Sequence, residues 1–242
     1  MANLIGLSGK KQSGKSTVGK IIQYLTRDYV YIDYSFEQYF NLETTKSFEI
    51  KMFADKLKDI VCLLIGCEKN QLEDEKFKNK YLSEDWLDVN YRTNVVDINL
   101  KNKSTVRELL QVLGTEAGRN VIHTNIWVNS LFSEYKCPKC NSVPDKVCFG
   151  HTNPNWIITD VRFPNEAEKI KEKGGLLIRI ESPRCNYNDS HSSEIALDDY
   201  GGIGDEVRTD RWDSIIFNDG TIEELIEKVK KVLIKHKIIE NV

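Results

Sequence analysis

Apolar residues follow two patterns along this chain: short unbroken runs, and longer stretches with a spacing of three and four residues. The runs predict strands at 4–7, 156–159, 176–180 and 215–217, and strict alternation predicts another strand at 48–53. The spaced stretches predict helices over 18–25, 54–65, 105–113, 125–135, 165–173 and 221–234. Because strands and helices alternate, the pattern indicates an α/β fold, a three-layer sandwich with a central parallel sheet.

Local signals set several boundaries of these elements. Thr105 and Glu108 have the spacing of a capping box, and the helix that they begin is predicted to end at Gly114. The stretch 28–46 has no clean period and is predicted to be a connection or an extra hairpin, whereas 68–88 fits a mostly solvated surface helix. In the helix over 54–65, the predicted buried face consists of Leu57, Ile60, Val61 and Leu64.

The first strand runs into Gly9-Lys10-Lys11-Gln12-Ser13-Gly14-Lys15-Ser16-Thr17, which matches the phosphate-binding pattern G-x-x-x-x-G-K-[ST]. The two glycines allow the backbone to bend so that successive N–H groups converge on phosphate oxygens. Lys15 is expected to reach the terminal phosphates of ATP, and the Ser16 hydroxyl to bind Mg²⁺. An ordinary surface turn is the alternative, which the flanking strand and helix disfavour. The predicted ATP-binding residues in this loop are Gly9, Gln12, Ser13, Gly14, Lys15, Ser16 and Thr17.

Length and charge limit the function classes. A chain of 242 residues fits one α/β domain with insertions, 1–242, better than two full domains. The net charge of −3 provides no basic field, which disfavours nucleic acid as a partner. Neither a bilayer-spanning apolar stretch nor a signal-peptide pattern is present. We therefore predict a cytoplasmic protein, in the host cytoplasm if it is virus-encoded, that acts on small-molecule nucleotides without a membrane partner.

Charged residues follow the strand predicted at 156–159, where ligands of open α/β sheets bind. Asp160 is expected to orient Mg²⁺ or to accept a proton, and Arg162 to hold an acceptor phosphate. The alternative is an ion pair that only caps the strand. Arg107 and Arg119 are further candidates because a guanidinium binds phosphate through two parallel hydrogen bonds.

The polar segment 182–212 lacks core residues in its first part and could close over a nucleotide as a lid, excluding water. Arg184 is then expected to neutralise phosphate charge of ATP. His191 and Glu194 of the same segment are candidate substrate contacts, although a histidine in a polar loop is more often a local hydrogen-bonding residue.

Four residues in the insertion 137–151 have the spacing C-x2-C-x7-C-x2-H: Cys137, Cys140, Cys148 and His151. Three thiolates and one imidazole fill a tetrahedral shell, so we predict a structural Zn²⁺ without a catalytic position. Accidental clustering and a redox pair are the alternatives. Cys62 and Cys67 are predicted to be inert core thiols.

Several strings, in one order along the chain, resemble the phage-type deoxynucleoside monophosphate kinase family of P-loop kinases. They are Gly9 to Thr17, Phe53 to Lys58, Val106 to Gln111, Leu113 to Arg119, Thr159 to Ala167, Ser190 to Glu194 and Asn218 to Thr221. Several relatives have Asp where Ser16 stands. The resemblance implies a nucleoside monophosphate kinase-like fold with an acceptor-side region, 67–103, and a lid. It also implies that Lys15 binds ATP, that Arg107, Arg119 and Arg162 bind the acceptor, and that Arg184 acts from the lid.

The leading hypothesis is transfer of the γ-phosphate of ATP to a (deoxy)nucleoside 5'-monophosphate, with Lys15, Asp160, Arg162 and Arg119 as the catalytic group. A related kinase with phosphomevalonate as acceptor is a second hypothesis. A nucleotide-gated module that binds nucleic acid through the zinc insertion is a third, from another class. The sequence leaves a homodimer open and does not identify the accepted base.

Overall fold

The computed structural model describes residues 3–28, 33–42, 47–86, 104–137, 153–185, 195–197, 200 and 211–240. The chain divides into two compact units. The first comprises residues 1–53 and 131–242, and the second comprises residues 54–130.

The described residues of the first unit contain a parallel sheet of five strands in the order β2-β3-β1-β4-β5. The central strand is buried along its whole length, as its unbroken apolar run predicts. In the register of the sheet, Ile5 pairs with Ile157 on one side and with Leu176 on the other. The strands are β1 (Leu4–Ser8), β2 (Glu49–Lys51), β3 (Trp156–Val161), β4 (Leu176–Glu181) and β5 (Ser214–Phe217).

The described helices are α1 (Lys15–Leu25), α2 (Phe36–Phe40), α3 (Asp55–Ile65), α4 (Glu75–Lys78), α5 (Val106–Gln111), α6 (Ile126–Phe132), α7 (Pro164–Glu172) and α8 (Ile222–Lys235). Those of the first unit cover both faces of its sheet. Ile5 and Leu7 of β1 share one core with residues of α1 and α8. Gly6 points to the other face, where an added Cβ would lie 2.6 Å from Ile170 of α7. The predicted α/β architecture with a parallel sheet is therefore confirmed.

The second unit contains α3 to α5 and the start of α6. Thr105 and Glu108 form the predicted capping box at the start of α5. The prediction that this helix ends at Gly114 is wrong, because the chain continues as a π-helix over Val112–Ile122. The indole N–H of Trp127 donates a hydrogen bond to the Gly114 carbonyl at 2.8 Å and so occupies an acceptor of the helical ladder. Insertion of this kind into the ladder is a known cause of local helix distortion.

Other predictions needed correction within the described residues. The stretch 28–46 contains the short helix α2, which begins at a capping box formed by Ser35 and Gln38. On α3, Ile60 and Leu64 are exposed rather than buried, while Leu57 and Val61 are buried as predicted.

Two more predicted features of the second unit differ from the structure. Cys62 and Cys67 are half-buried instead of lying in the core, with their Sγ atoms 3.6 Å apart. Burial and the interaction with Cys62 together raise the pKa of Cys67 to about 11. The segment predicted as one surface helix at 68–88 contains the separate helical turns Lys69–Glu73, Glu75–Lys78 and Glu84–Trp86. None of the described helices is both long enough and apolar enough to span a membrane.

Candidate active site

The phosphate-binding loop lies where the sequence predicts it, between the end of β1 at Ser8 and the start of α1 at Lys15. Gly14 has a φ of 98°, in the left-handed region that favours glycine. The Ser13 N–H donates to the Lys10 carbonyl at 3.2 Å and closes a turn within the loop. Gly9 is also required by close packing, since an added Cβ would lie 2.5 Å from the Ile180 carbonyl oxygen.

Lys15 points its ammonium group back across this loop. Its Nζ donates to the carbonyl oxygens of Gly9 and Lys10, both at 2.6 Å. The side chain therefore places a positive charge beside the loop backbone, at the N-terminus of α1, where the helix dipole adds further positive potential. Such an arrangement favours an anion that approaches the loop.

The loop lies at a switch point of the sheet. β1 and β3 are neighbours, and the helices that follow them, α1 and α7, pack on opposite faces. A crevice opens outside the carboxyl ends of two strands arranged in this way, and ligands of open α/β sheets bind there. Asp160 is the second-last residue of β3, which extends two residues beyond the predicted strand, and Arg162 directly follows the end of β3.

A β-bulge adjusts the end of β3 next to the loop. Gly6 pairs with Ile158 and Ser8 with Val161, so β3 has one more residue than β1 over this interval. The Asp160 carboxylate accepts a hydrogen bond from the N–H of Phe53 at 2.8 Å, which fixes its orientation.

The buried carboxylate of Glu166 holds the chain just beyond β3. It accepts hydrogen bonds from the N–H groups of Arg162 and Phe163, at 2.7 and 3.0 Å. Both carboxylates, Asp160 and Glu166, thus bind backbone donors and fix the direction in which the chain leaves the strand.

Two charged residues at the end of β4 escaped the sequence analysis. The Arg179 Nε donates to Glu181 at 2.8 Å, and its Nη1 donates to the hydroxyl of Ser8 at 3.3 Å. The Arg179 side chain is only 11% exposed. Their signal was available in the sequence, because two charged residues alternate with apolar ones in Leu176–Glu181 and so share one face of the strand.

Cys185 follows this pair in the sequence, and the charges around it affect the pKa of its thiol. Burial raises the pKa of its thiol, and the Glu181 carboxylate raises it further, while Lys15 and Arg179 lower it. The charges of Lys15, Arg179 and Glu181 therefore all act on this thiol.

Arg184 is exposed and donates a hydrogen bond to the Gly220 carbonyl at 3.2 Å. The rest of the predicted lid is sparsely described, and the candidate substrate contacts His191 and Glu194 lie outside the described residues.

Arg107 and Arg119 belong to the second unit. The Arg107 guanidinium contacts the Glu75 carboxylate and donates to Asn79 at 3.1 Å. Arg119 is half-buried in the last part of the π-helix. π-Helical segments are frequent at functional sites, which makes this position informative.

Of the four predicted zinc ligands, only Cys137 lies within the described residues, where it is buried. Cys140, Cys148 and His151 lie outside them. A search of the described ranges finds no group of three or more His, Cys, Asp or Glu side chains able to hold a metal ion.

Comparison with known proteins finds relatives that come from viruses. A profile of the family described as deoxynucleotide monophosphate kinase matches residues 24–229. A relative from Acanthamoeba polyphaga mimivirus is 26% identical over 234 residues, which cover 93% of each chain. The deoxynucleotide monophosphate kinase of Enterobacteria phage T4 is 30% identical over 141 residues, 58% of this chain and 50% of that relative. The deoxynucleoside-5'-monophosphate kinase of Escherichia phage T5 is 27% identical over 212 residues, 73% of this chain and 74% of that relative.

The profile match begins after the phosphate-binding loop. The geometry of residues 9–17 is therefore an observation separate from that match.

Proposed function

The chain belongs to the deoxynucleotide monophosphate kinase family and is a kinase, and from this premise we propose that it transfers the γ-phosphate of ATP to a deoxynucleoside 5'-monophosphate, forming the diphosphate. The observation that carries the proposal is the loop between β1 and α1 at the switch point of the sheet, with the Lys15 ammonium 2.6 Å from two loop carbonyls. A loop of this kind is suited to the donor phosphates.

On the donor side, the loop N–H groups and Lys15 bind the phosphates of ATP. Gly9, Gln12, Ser13, Gly14, Ser16 and Thr17 form the cradle in this proposal. The helix dipole of α1 and the Lys15 charge stabilise negative charge on the transferred group as it leaves the donor. Arg184 adds positive charge from the start of the lid segment.

On the acceptor side, Arg162, Arg119 and Arg107 bind the monophosphate. Arg162 is supported by its place directly after β3, beside the strand that leads into the loop. Asp160 orients the attacking phosphate oxygen or the metal ion. In-line attack by that oxygen on the γ-phosphorus breaks the bond to the β-phosphate oxygen, so ADP leaves.

Magnesium fits the residues present. The Ser16 hydroxyl on the first turn of α1 and the Asp160 carboxylate at the end of β3 are hard oxygen donors of the kind that Mg²⁺ prefers. When bound with ATP, the ion would neutralise charge on the β- and γ-phosphates.

The test is phosphate transfer from ATP to each of the four common deoxynucleoside monophosphates, with phosphomevalonate as a comparison acceptor. We expect at least one deoxynucleotide to be converted to its diphosphate. Transfer to phosphomevalonate alone would favour the second hypothesis of the sequence analysis and refute the proposal. The relatives give no support to that acceptor or to nucleic-acid binding.

Zinc in the insertion 137–151 stays a prediction from the spacing of its cysteines and histidine. Metal analysis of the purified protein should find one Zn²⁺ per chain, and Cys140→Ser should remove it. A metal-free protein of normal yield would contradict this prediction.

A further inference from the structure

We propose that Asn218, directly after β5, is a positioning residue that holds the phosphate-binding loop in the conformation that binds ATP. This inference rests on the proposed function of the loop. Asn218 is 9% exposed, and its side chain reaches a loop residue that lies 205 positions earlier in the chain.

The contact fixes one peptide group of the loop. The Asn218 Nδ2 donates a buried hydrogen bond to the Ser13 carbonyl oxygen at 3.0 Å. In a planar trans peptide, the carbonyl of Ser13 and the N–H of Gly14 point in opposite directions. Holding the Ser13 oxygen toward Asn218 therefore aims the Gly14 N–H at the opposite side of the loop. Backbone N–H groups of such loops are the donors that meet phosphate oxygens.

Packing enforces the same arrangement. A Cβ added to Gly14 would lie 2.4 Å from the Asn218 Nδ2, so the amide rests directly on the glycine backbone. Because Gly14 also has a φ of 98°, the position needs glycine for two independent reasons. The loop consequently cannot move toward β5 without displacing Asn218.

Asn218 is itself held firmly by the end of β4. Its N–H donates to the Glu181 carbonyl at 2.7 Å, and its carbonyl accepts a buried hydrogen bond from the Ser182 hydroxyl at 2.8 Å. Ser182 is 2% exposed. These two hydrogen bonds hold the backbone of Asn218 in place, and burial together with the hydrogen bond to Ser13 restricts its side-chain amide. It therefore links two strand ends to the loop that precedes α1.

The test compares Asn218→Asp with wild type. Aspartate has the same size but cannot donate to the Ser13 carbonyl, and its charge opposes that oxygen and the phosphates. We expect about tenfold weaker binding of ATP and of inorganic tripolyphosphate by calorimetry, because one buried hydrogen bond and the loop geometry are lost. In transfer assays, the KM for ATP should rise while the KM for the acceptor stays within about twofold of wild type.

Asp219→Ala is the matched control. Asp219 is the next residue, but its carboxylate binds Lys228 on the surface. We expect no change in either KM. A purely structural effect of substitutions in this turn would alter both KM values in both variants.

Each outcome decides the proposal. A folded Asn218→Asp protein that binds ATP within about twofold of wild type would overturn it. If that variant does not fold, Asn218→Ala removes the donor without adding charge and is measured in its place. If neither folds, the side chain serves the fold rather than the loop, and the proposal is wrong. A wild-type protein that binds ATP but transfers nothing to deoxynucleotides refutes the proposed function and leaves the binding test intact.

Discussion

The two units hold their candidate residues in different ways. In the first unit, the phosphate-binding loop and the strand end that leads into it are held by partners far away in the sequence: Asn218 contacts Ser13 across 205 positions, and Arg179 contacts Ser8 across 171. In the second unit, the partners of Arg107 lie 28 and 32 positions away, on the surface. Several large apolar side chains there are exposed, including Leu63 at 85% and Val121 at 81%.

The difference indicates different roles for the phosphate-binding loop and for the arginines of the second unit. A loop tied to two other strand ends is preorganised, which is what stabilisation of transferred phosphate charge requires. A helical unit whose described residues include large exposed apolar side chains is more easily rearranged. We therefore expect substitutions in the phosphate-binding loop to affect ATP, and substitutions of Arg107 and Arg119 in the second unit to affect the acceptor.

Lys15→Ala should have the largest effect. Loss of the ammonium group beside the loop carbonyls should lower kcat/KM by about 10²- to 10³-fold, as removal of a single charge-stabilising donor does in other enzymes. Lys20→Ala is the control, because it makes the same change on the exposed face of the same helix. A Lys15→Ala protein with wild-type activity would contradict the assignment of the loop.

Gly14→Ala tests how rigidly the loop is held. Its left-handed φ and the contact with Asn218 should together lower the free energy of unfolding by about 3 kcal/mol, measured by urea denaturation. Gly174→Ala has a comparable φ of 75° but nothing within 4 Å of the added Cβ. It should cost only about 1 kcal/mol. Equal losses of unfolding free energy in the two variants would show that the Asn218 side chain moves away from the added methyl group at little cost.

Arg119→Ala should raise the KM for the acceptor about 10- to 100-fold, the value of a charge-assisted hydrogen bond, with little change in the KM for ATP. Arg119→Lys keeps the positive charge but not the paired donors of the guanidinium. Its KM for the acceptor should therefore lie between those of the wild type and of Arg119→Ala. An unchanged acceptor KM in Arg119→Ala would remove this arginine from the site.

Trp127→Phe should have the smallest effect. It deletes the indole N–H that binds the Gly114 carbonyl, which should lower the free energy of unfolding by about 1 kcal/mol. Trp86→Phe is the control, since Trp86 is 39% exposed in the same unit. A loss no greater than that of the control would mean that the π-helix does not depend on this hydrogen bond.

Local signals predicted much of the fold. The glycine and lysine spacing of the loop, the capping box at Thr105 and the apolar runs of the strands all lie within a few residues of what they determine. The capping box of Ser35 and Gln38 was equally local and was overlooked.

What the sequence could not reveal depends on contacts between distant segments. No local pattern links Asn218 to Ser13. The apolar spacing of α5 fits an ordinary helix up to Leu113. Glycine is common at helix ends, so Gly114 predicted an end there, and the hydrogen bond from Trp127 to its carbonyl has no local signal in the sequence. Residues whose role is to hold another residue carry no motif of their own.

The most direct test of the donor role of the loop and the acceptor role of Arg119 is calorimetric binding of ATP and of the best deoxynucleotide acceptor, each titrated separately into Lys15→Ala and Arg119→Ala. We predict that Lys15→Ala loses affinity for ATP and keeps its affinity for the acceptor, and that Arg119→Ala shows the reverse. If either substitution weakens the binding of both ligands equally while the protein stays folded, the assignment of Lys15 to the donor and of Arg119 to the acceptor is wrong.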